Sequence, residues 1–217
     1  MANVFENLSA KEKRKLMYTM KVDSMKVKKG ASLIKEIRGD IIGIVDEGTI
    51  EIKRTNANGI TTVVERLEEN DLFGSTISYI DNEEYDIVAK EDASLYFFNY
   101  KDIVNYSEMH RAYYQKFMKN LFIIMEEKIR RKNERIQLLT QKTIREKILS
   151  YFEIMSTRNN SKTIYLPFGF SELADYLAVN RSALMREIKS LKEEGFIESK
   201  NKRIKLLYYN TSFSKKL

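Results

Sequence analysis

Arginine and serine side chains near the carboxyl end of the chain have the types and the spacing to read nucleic acid bases. The segment Phe170–Gly195 reads FSELADYLAVNRSALMREIKSLKEEG, in which Leu184, Ile188 and Leu191 recur on one helical face. The opposite face consists of Arg181, Ser182, Met185, Arg186 and Lys189. An arginine fork can bond the O6 and N7 acceptors of guanine together, and a serine hydroxyl suits a base edge or a phosphate. The pattern predicts recognition of double-stranded DNA in the major groove.

Two helices and a small hairpin are expected to position these side chains. Ser171 has the residue type of an N-cap for a first short helix, and Gly195 that of the stop of a second. The turn Ala178-Val179-Asn180 places alanine where such turns usually carry glycine, and a left-handed alanine costs on the order of 1 kcal/mol. Two short strands then flank Lys200-Asn201-Lys202 as a basic wing. The predicted DNA contacts are the five outward residues together with Ser171, Asn180, Lys200 and Lys202.

The charge of the chain is divided unevenly between its halves. Residues 1–106 carry 15 Lys and Arg against 19 Asp and Glu, a net charge of −4, whereas residues 107–217 carry 23 against 12, a net charge of +11. A basic half joined to an acidic half is typical of a nucleic-acid-binding domain fused to another domain. A ribosomal or membrane-surface protein would have a similar balance, and paired amphipathic helices also occur in proteins that never contact DNA.

Composition excludes several kinds of chemistry. The 217 residues are 43% hydrophobic and 32% charged, with no cysteine and one histidine. Thiol catalysis, cysteine-bound zinc, iron–sulfur clusters and disulfides are therefore excluded, and serine–histidine hydrolysis is disfavoured. We predict no catalytic residue and no metal site. The lack of cysteine, of a signal peptide and of an apolar run longer than Leu121–Met125 predicts a cytoplasmic protein that does not contact a membrane.

The first half of the chain has the pattern of short strands and turns. Thr49–Lys53 alternates in polarity, Ile60–Glu65 is its expected partner, and Asn58-Gly59 is a dipeptide that tight hairpin turns favour because both positions tolerate positive φ. Further strands are expected at Leu33–Ile37, Ile41–Asp46, Tyr85–Lys90 and Ser94–Phe98, after a short helix around Ala10–Met20. The pattern predicts an antiparallel sandwich or roll of about eight strands.

A long amphipathic helix is expected from about Ser107 through Leu138. Its apolar stripe, in steps of three and four residues, begins with the candidate dimerisation residues Tyr114, Phe117, Leu121, Ile124 and Lys128 and continues with Ile129, Ile136 and Leu139. A helix of this length favours packing against a second copy of the chain, which makes the stripe a predicted dimerisation surface. The alternative is that the stripe packs on the strands of its own chain. A second helix is expected over Thr143–Met155.

The order of these elements resembles the cyclic-AMP-receptor/fumarate-nitrate-regulator (Crp/Fnr) family of bacterial transcription regulators. Two stretches carry the resemblance: GIVDEGTIEIKRTNANGITTVVERLEENDLFG, which is Gly43–Gly74, and LPFGFSELADYLAVNRSALMREIKSLKEEGFI, which is Leu166–Ile197. The resemblance implies an α+β fold. Its parts would be an antiparallel β-roll of the cyclic-nucleotide-binding type over residues 1–106, a dimerisation helix over 107–138 and a winged helix-turn-helix over 139–217. It also implies that Arg181 and Arg186 occupy guanine-reading positions, while Ser182 stands where the cyclic-AMP-receptor branch usually has glutamate.

The resemblance implies an effector pocket whose chemistry differs in this chain. Cyclic-nucleotide members carry an arginine for the cyclic phosphate, whereas the corresponding stretch Asn82–Asp86 contains several carboxylates, which would repel a phosphodiester. We therefore expect neither a cyclic nucleotide nor, without cysteine, an iron–sulfur cluster. His110 is expected at the surface rather than as a haem ligand, so no cofactor is predicted. The implied pocket residues are Phe73, Gly74, Ser75, Tyr85, Phe117, Leu121, Ile124, Lys128 and Lys132, and the alternative is that they serve only as packing.

Taken together, the sequence predicts a homodimeric transcription regulator that binds a palindromic DNA operator. Its activity would respond to an unidentified small effector or be constitutive, and RNA polymerase is a further candidate partner. Two alternatives stay open at this point. One is a cyclic-nucleotide-responsive regulator, and the other is a small-molecule-binding or scaffold protein whose basic C-terminal domain contacts protein or RNA.

Overall fold

The computed structural model describes residues 3–33, 40–74 and 84–207. The chain divides into two compact units, Met1–Ile129 and Arg130–Leu217, and the division falls within a long helix. The domain boundaries predicted from the sequence, after residues 106 and 138, are placed where the residue pattern changes, and they stay predictions. None of the helices in the described ranges has both the length and the apolar character that a bilayer span requires.

The first unit is built on two antiparallel sheets. Its elements are α1 (Ala10–Thr19), β1 (Asp23–Val27), β2 (Ile41–Glu47), β3 (Ile50–Thr55), β4 (Thr61–Leu67), β5 (Leu72–Phe73), β6 (Tyr85–Ala89), β7 (Ala93–Asn99), α2 (Tyr100–Val104) and the beginning of α3 (Ala112–Leu139). One sheet has the strand order β1-β7-β2-β5 and the other has the order β4-β3-β6. The predicted antiparallel fold of this half is confirmed.

Most of the expected strands are present, with ends that differ by one or two residues. The pattern does not indicate β1, where two polar residues open the strand, or β5, which is only two residues long. The strand expected at Leu33–Ile37 falls mostly outside the described residues. The helix expected at Ala10–Met20 is α1, and a capping box between Ser9 and Glu12 fixes its start.

The β3–β4 hairpin is confirmed, but its turn differs from the expected one. Thr55 pairs with Thr61, and the Asn56 N–H donates to the Ile60 carbonyl at 3.0 Å, so the loop is longer than two residues. Gly59 has a φ of +76°, whereas Asn58 has no positive φ. The Asn56 Oδ1 accepts from the N–H groups of Asn58 and Ile60, both at 3.0 Å. The expected turn has two left-handed residues. The observed turn has only one, Gly59, and is held by the Asn56 side chain instead.

Two apolar cores hold the first unit together. The core between the sheets includes Val45, Ile50, Ile52, Phe73 and Ile87. A second core joins the first sheet to α1 and α3 and includes Phe5, Leu16, Phe98, Phe117 and Leu121. The start of the chain is fixed to α3, because the buried Asn120 Nδ2 donates to the carbonyl oxygens of Val4 at 3.2 Å and Glu6 at 2.8 Å.

The five candidate dimerisation residues of the long helix pack within their own unit. Tyr114, Phe117, Leu121, Ile124 and Lys128 are each at most 7% exposed within a single chain. Residues 107–111, expected to be helical, precede α3. The helical period is the same for a stripe that packs on the chain's own strands and for one that packs on a partner, and the former holds here.

The second unit combines helices with a small sheet. After the end of α3 it contains α4 (Ile144–Arg158), β8 (Thr163–Tyr165), α5 (Phe170–Tyr176), α6 (Arg181–Glu193), β9 (Ile197–Lys200) and β10 (Arg203–Leu206). The three strands form an antiparallel sheet in the order β8-β10-β9. α4 begins after the N-cap Thr143, close to the expected start, and it continues three residues past Met155. The apolar faces of α4, α5 and α6 share one core with the sheet.

Candidate nucleic-acid interface

α5 and the turn after it position α6. The N-cap of α5 is Gly169 rather than Ser171, and the Glu172 carboxylate accepts from the Gly169 N–H at 3.2 Å. Ser171 lies in the first turn of the helix and is partly exposed. Ala178 has a φ of +50°, so the left-handed alanine expected from the sequence is present.

Asn180 determines where α6 begins. Its Oδ1 accepts from the Ser182 N–H at 2.9 Å, from the Ala183 N–H at 3.4 Å and from the Ser182 Oγ at 2.5 Å. These bonds satisfy N–H groups that a helix start otherwise leaves open. Asn180, expected as a DNA contact, thus has a capping role in the structure, and the Ser182 hydroxyl proton is directed to Asn180 while its oxygen can still accept.

The two faces of α6 are divided as the sequence pattern indicates. Leu184, Ile188 and Leu191 are at most 3% exposed and pack in the core. The exposed residues Arg181, Ser182, Met185, Arg186 and Lys189 form what we call the recognition face. Among the described residues, neither Arg181 nor Arg186 has an ion-pair partner, so both forks are available for an external acceptor.

Arg145 on α4 holds the side of α6 that lies away from the recognition face. Its guanidinium donates to Glu187 at 2.5 Å, to both carboxylate oxygens of Glu194 at 2.7 and 2.5 Å, and to the Ser190 hydroxyl at 3.1 Å. The bonds from Arg145 and Ser190 lower the pKa of Glu194 to about 2. The sequence pattern misses Arg145, since the residues that it contacts are 42 to 49 positions away and no local periodicity connects them.

The wing is a hairpin of β9 and β10, as expected. Lys200 pairs with Arg203, and Asn201 has a φ of +54° in the turn. Lys200 and Lys202 are both exposed. The wing therefore places two lysine ammonium groups at the end of the hairpin, where they can contact phosphates.

The apolar residues assigned to the implied effector pocket lie in two different cores of the first unit. Phe73 lies in the core between the sheets, with its ring centroid 5.9 Å from that of Phe97, whereas Phe117, Leu121 and Ile124 lie in the other core. A Cβ at Gly74, whose φ is +147°, would collide with the Ile41 carbonyl. The Arg54 guanidinium lies 5.9 Å from the Tyr85 ring centroid. Ser75 is outside the described residues, and Lys132 belongs to the second unit.

Lys128, also assigned to that pocket, is engaged inside the protein. It is 6% exposed, and its Nζ donates to Glu65 at 2.5 Å and to the Leu72 carbonyl at 2.8 Å. Burial would penalise the ammonium, and the carboxylate and carbonyl compensate for the lost water. The Lys128 ammonium thus connects α3 to β4 and β5.

Two further expectations concern haem, for which His110 is considered, and cyclic nucleotides, for which the acidic stretch Asn82–Asp86 is considered. His110 is exposed, just before α3. In the acidic stretch, Glu84 pairs with Arg54 at 2.8 Å and Asp86 accepts from the Ser32 hydroxyl at 2.5 Å, while residues 82 and 83 lie outside the described residues. Within the ranges that the structure describes, no cluster of histidine and carboxylate side chains is placed to hold a metal ion.

Comparisons with known proteins agree with this architecture. Residues 24–110 match the cyclic nucleotide-binding domain, and residues 146–210 match the Crp-like helix-turn-helix domain. The transcriptional activator protein FnrL of Cereibacter sphaeroides is 27% identical in an alignment 177 residues long, which covers 76% of this chain and 67% of that protein.

Solved structures share the fold. A structure of CprK complexed with OCPA superposes with a TM-score of 0.67 at 16% identity and covers 92% of each chain. A CooA mutant from Carboxydothermus hydrogenoformans has a TM-score of 0.62 at 16% identity, over 93% of this chain and 87% of its own.

Proposed function

Since the chain belongs to the Crp/Fnr family of DNA-binding transcription regulators, we propose that it binds a palindromic operator as a homodimer and reads each half-site with α6. The recognition face carries this proposal, because Arg181 and Arg186 are exposed there without ion-pair partners in the described part of the chain. The family consists of regulators, so we propose no enzymatic step.

The recognition face supplies both kinds of contact that sequence-specific binding requires. Arg181 and Arg186 can each bond two acceptors of a guanine, and each such pair contributes about 1–3 kcal/mol of discrimination. Lys189 and the wing residues Lys200 and Lys202 supply charge for phosphates, which positions the protein without reading sequence. Arg145 holds the opposite side of α6, so we propose that it keeps the two arginines in register with the bases.

A different face of α3 supplies the dimer interface in this proposal. Phe122, Met125 and Ile129, all in the first unit, are 63%, 37% and 57% exposed and follow one another at heptad spacing. We call these three residues the exposed seam. Packing against the same seam of a second copy would give a two-fold axis, and the axis requires inverted half-sites about 10–11 base pairs apart.

The first unit is proposed to sense an effector other than a cyclic nucleotide, or none. The absence of an arginine from the stretch Asn82–Asp86 supports this, as does the engagement of Lys128 by Glu65. We also propose a cytoplasmic location and contact with RNA polymerase.

Binding-site selection from random duplexes, followed by titration of the selected site, tests the proposal. Arg186→Ala should weaken binding to the selected site by about 1–3 kcal/mol per half-site and relax the preference at one base in each half-site. Lys202→Ala should weaken binding to selected and random DNA alike and reduce the salt dependence by about one ion per half-site. Lys29→Ala, an exposed lysine of the first unit, is the matched control and should bind as the wild type does. A non-palindromic selected site, or unchanged affinity and base preference in Arg186→Ala, would refute the proposal.

A further inference from the structure

Met185 is an apolar residue in an otherwise polar surface. It is 42% exposed and is the large hydrophobic residue that α6, described over its whole length, presents to solvent. Its neighbours on the recognition face are cationic or hydroxylic. A single exposed apolar side chain is ordinary on a protein surface, so Met185 alone indicates nothing.

Met185 is one of the residues that line a groove on the second unit. The groove has a volume of about 250 Å³ and lies among the start of α5, α6 and the wing. Its apolar lining comes from Phe170, Met185 and Ile188. Lys189, Lys192 and Asn201 also line it, and both lysines are exposed. The site therefore combines an apolar surface with flanking positive charge.

This combination matches one part of a DNA duplex. The edges of base pairs in the major groove present hydrogen-bonding groups, except for the C5-methyl group of thymine, which is apolar. A phosphate would gain little from Phe170, Met185 and Ile188, but phosphates on either side of a base would be attracted by Lys189 and Lys192. The complementary charge favours DNA as the occupant, and the apolar lining favours the methyl group.

We propose that Met185, with the groove beside it, reads the C5-methyl group of one thymine in each half-site. This inference rests on the proposed function, because it requires α6 to enter the major groove. It makes Met185 a specificity-determining residue that selects a T·A pair next to the guanine contacts of the arginines.

Replacing thymine with uracil tests the inference, because the exchange removes only the methyl group. Each thymine of the selected operator is replaced in turn, in both half-sites together, and affinities are measured for the wild type and for Met185→Ala. The wild type should lose about fourfold per half-site, or about fifteenfold for both, at one symmetric thymine position. We call this loss of affinity on replacing thymine with uracil the methyl effect. Met185→Ala should bind the thymine operator more weakly than the wild type does, and it should lose the methyl effect at that position only. Met185→Leu should retain the methyl effect.

The controls separate the possible failures. Met109→Ala, which removes a 49% exposed methionine from the first unit, should show the wild-type methyl effect. Equal binding of uracil operators at every position by the wild type, or an undiminished methyl effect in Met185→Ala, would overturn the inference while leaving the proposed function intact. If selection enriches no DNA sequence at all, the proposed function fails and the inference fails with it.

Discussion

The assignment of the dimer interface to the exposed seam predicts opposite outcomes for charges on the two faces of α3. In the double variant Phe122→Glu/Ile129→Glu, both changes fall on side chains that are 63% and 57% exposed. Each apolar side chain contributes about 1.5–3 kcal/mol when it is fully buried, so covering the exposed part of these two contributes about 1.2 kcal/mol each. A two-fold interface contains four such side chains, which amounts to about 5 kcal/mol, or more than a thousandfold in the dissociation constant.

Leu121→Glu should act differently, because Leu121 is only 5% exposed and packs inside its own unit. A carboxylate there would be desolvated without a partner, which costs several kcal/mol and destabilises the fold. The double variant should therefore be a folded monomer, and Leu121→Glu should be destabilised.

Sedimentation from nanomolar to micromolar concentration, combined with thermal unfolding followed by circular dichroism, distinguishes these outcomes. Val104→Glu/Met109→Glu is the matched control, since its residues are 39% and 49% exposed and lie outside the seam. This control should remain a dimer. The reasoning is wrong if the seam variant sediments as the wild type does, or if Leu121→Glu gives a monomer of unchanged stability.

Two further predictions concern the second unit. Ala178→Gly should raise the thermal midpoint of unfolding, because it relieves about 1 kcal/mol of left-handed backbone strain. Gly195→Ala should lower the midpoint, because φ at this position is +76° and the added Cβ, which contacts no other atom, contributes no compensating packing. A lower midpoint in both variants would contradict this account. The folded-state pKa of Glu194, about 2, lies below the ordinary 4.5, so its bonds to Arg145 stabilise the fold above pH 4.5 and are lost as the pH falls towards 2. Urea unfolding between these pH values should therefore show a steeper loss of stability for the wild type than for Arg145→Met, and identical slopes would contradict the assignment.

The recognition face could be predicted because α6 has a clear apolar period. Leu184, Ile188 and Leu191 fix which side of the helix is buried, and the outward side follows from the geometry of the helix alone. The left-handed turn at Ala178 could also be predicted, since the chain must reverse within three residues. These features depend on residues that are close together in sequence.

Features that depend on distant residues could not be predicted in the same way. The stripe from Tyr114 to Lys128 has the same period whether it packs on the chain's own strands or on a partner, and only the tertiary contacts decide between them. Ser171 has the right type for an N-cap, but the helix starts two residues earlier, after Gly169, whose N–H donates to Glu172. Arg145 lies far along the chain from the carboxylates that it holds, so no window of sequence connects them.

The bond between Lys128 and Glu65 also constrains how this protein can evolve. The two residues are 63 positions apart, and the ammonium lies in a site that is almost closed to water. Loss of Glu65 alone would remove the carboxylate that compensates for the buried charge, while loss of Lys128 alone would leave a carboxylate with one cation fewer. Either single substitution is therefore destabilising, and the Lys128–Glu65 pair is most easily exchanged for an apolar pair when both substitutions occur close together in time. The two positions should change together along a lineage, so that a sequence without Glu65 also lacks a lysine at position 128.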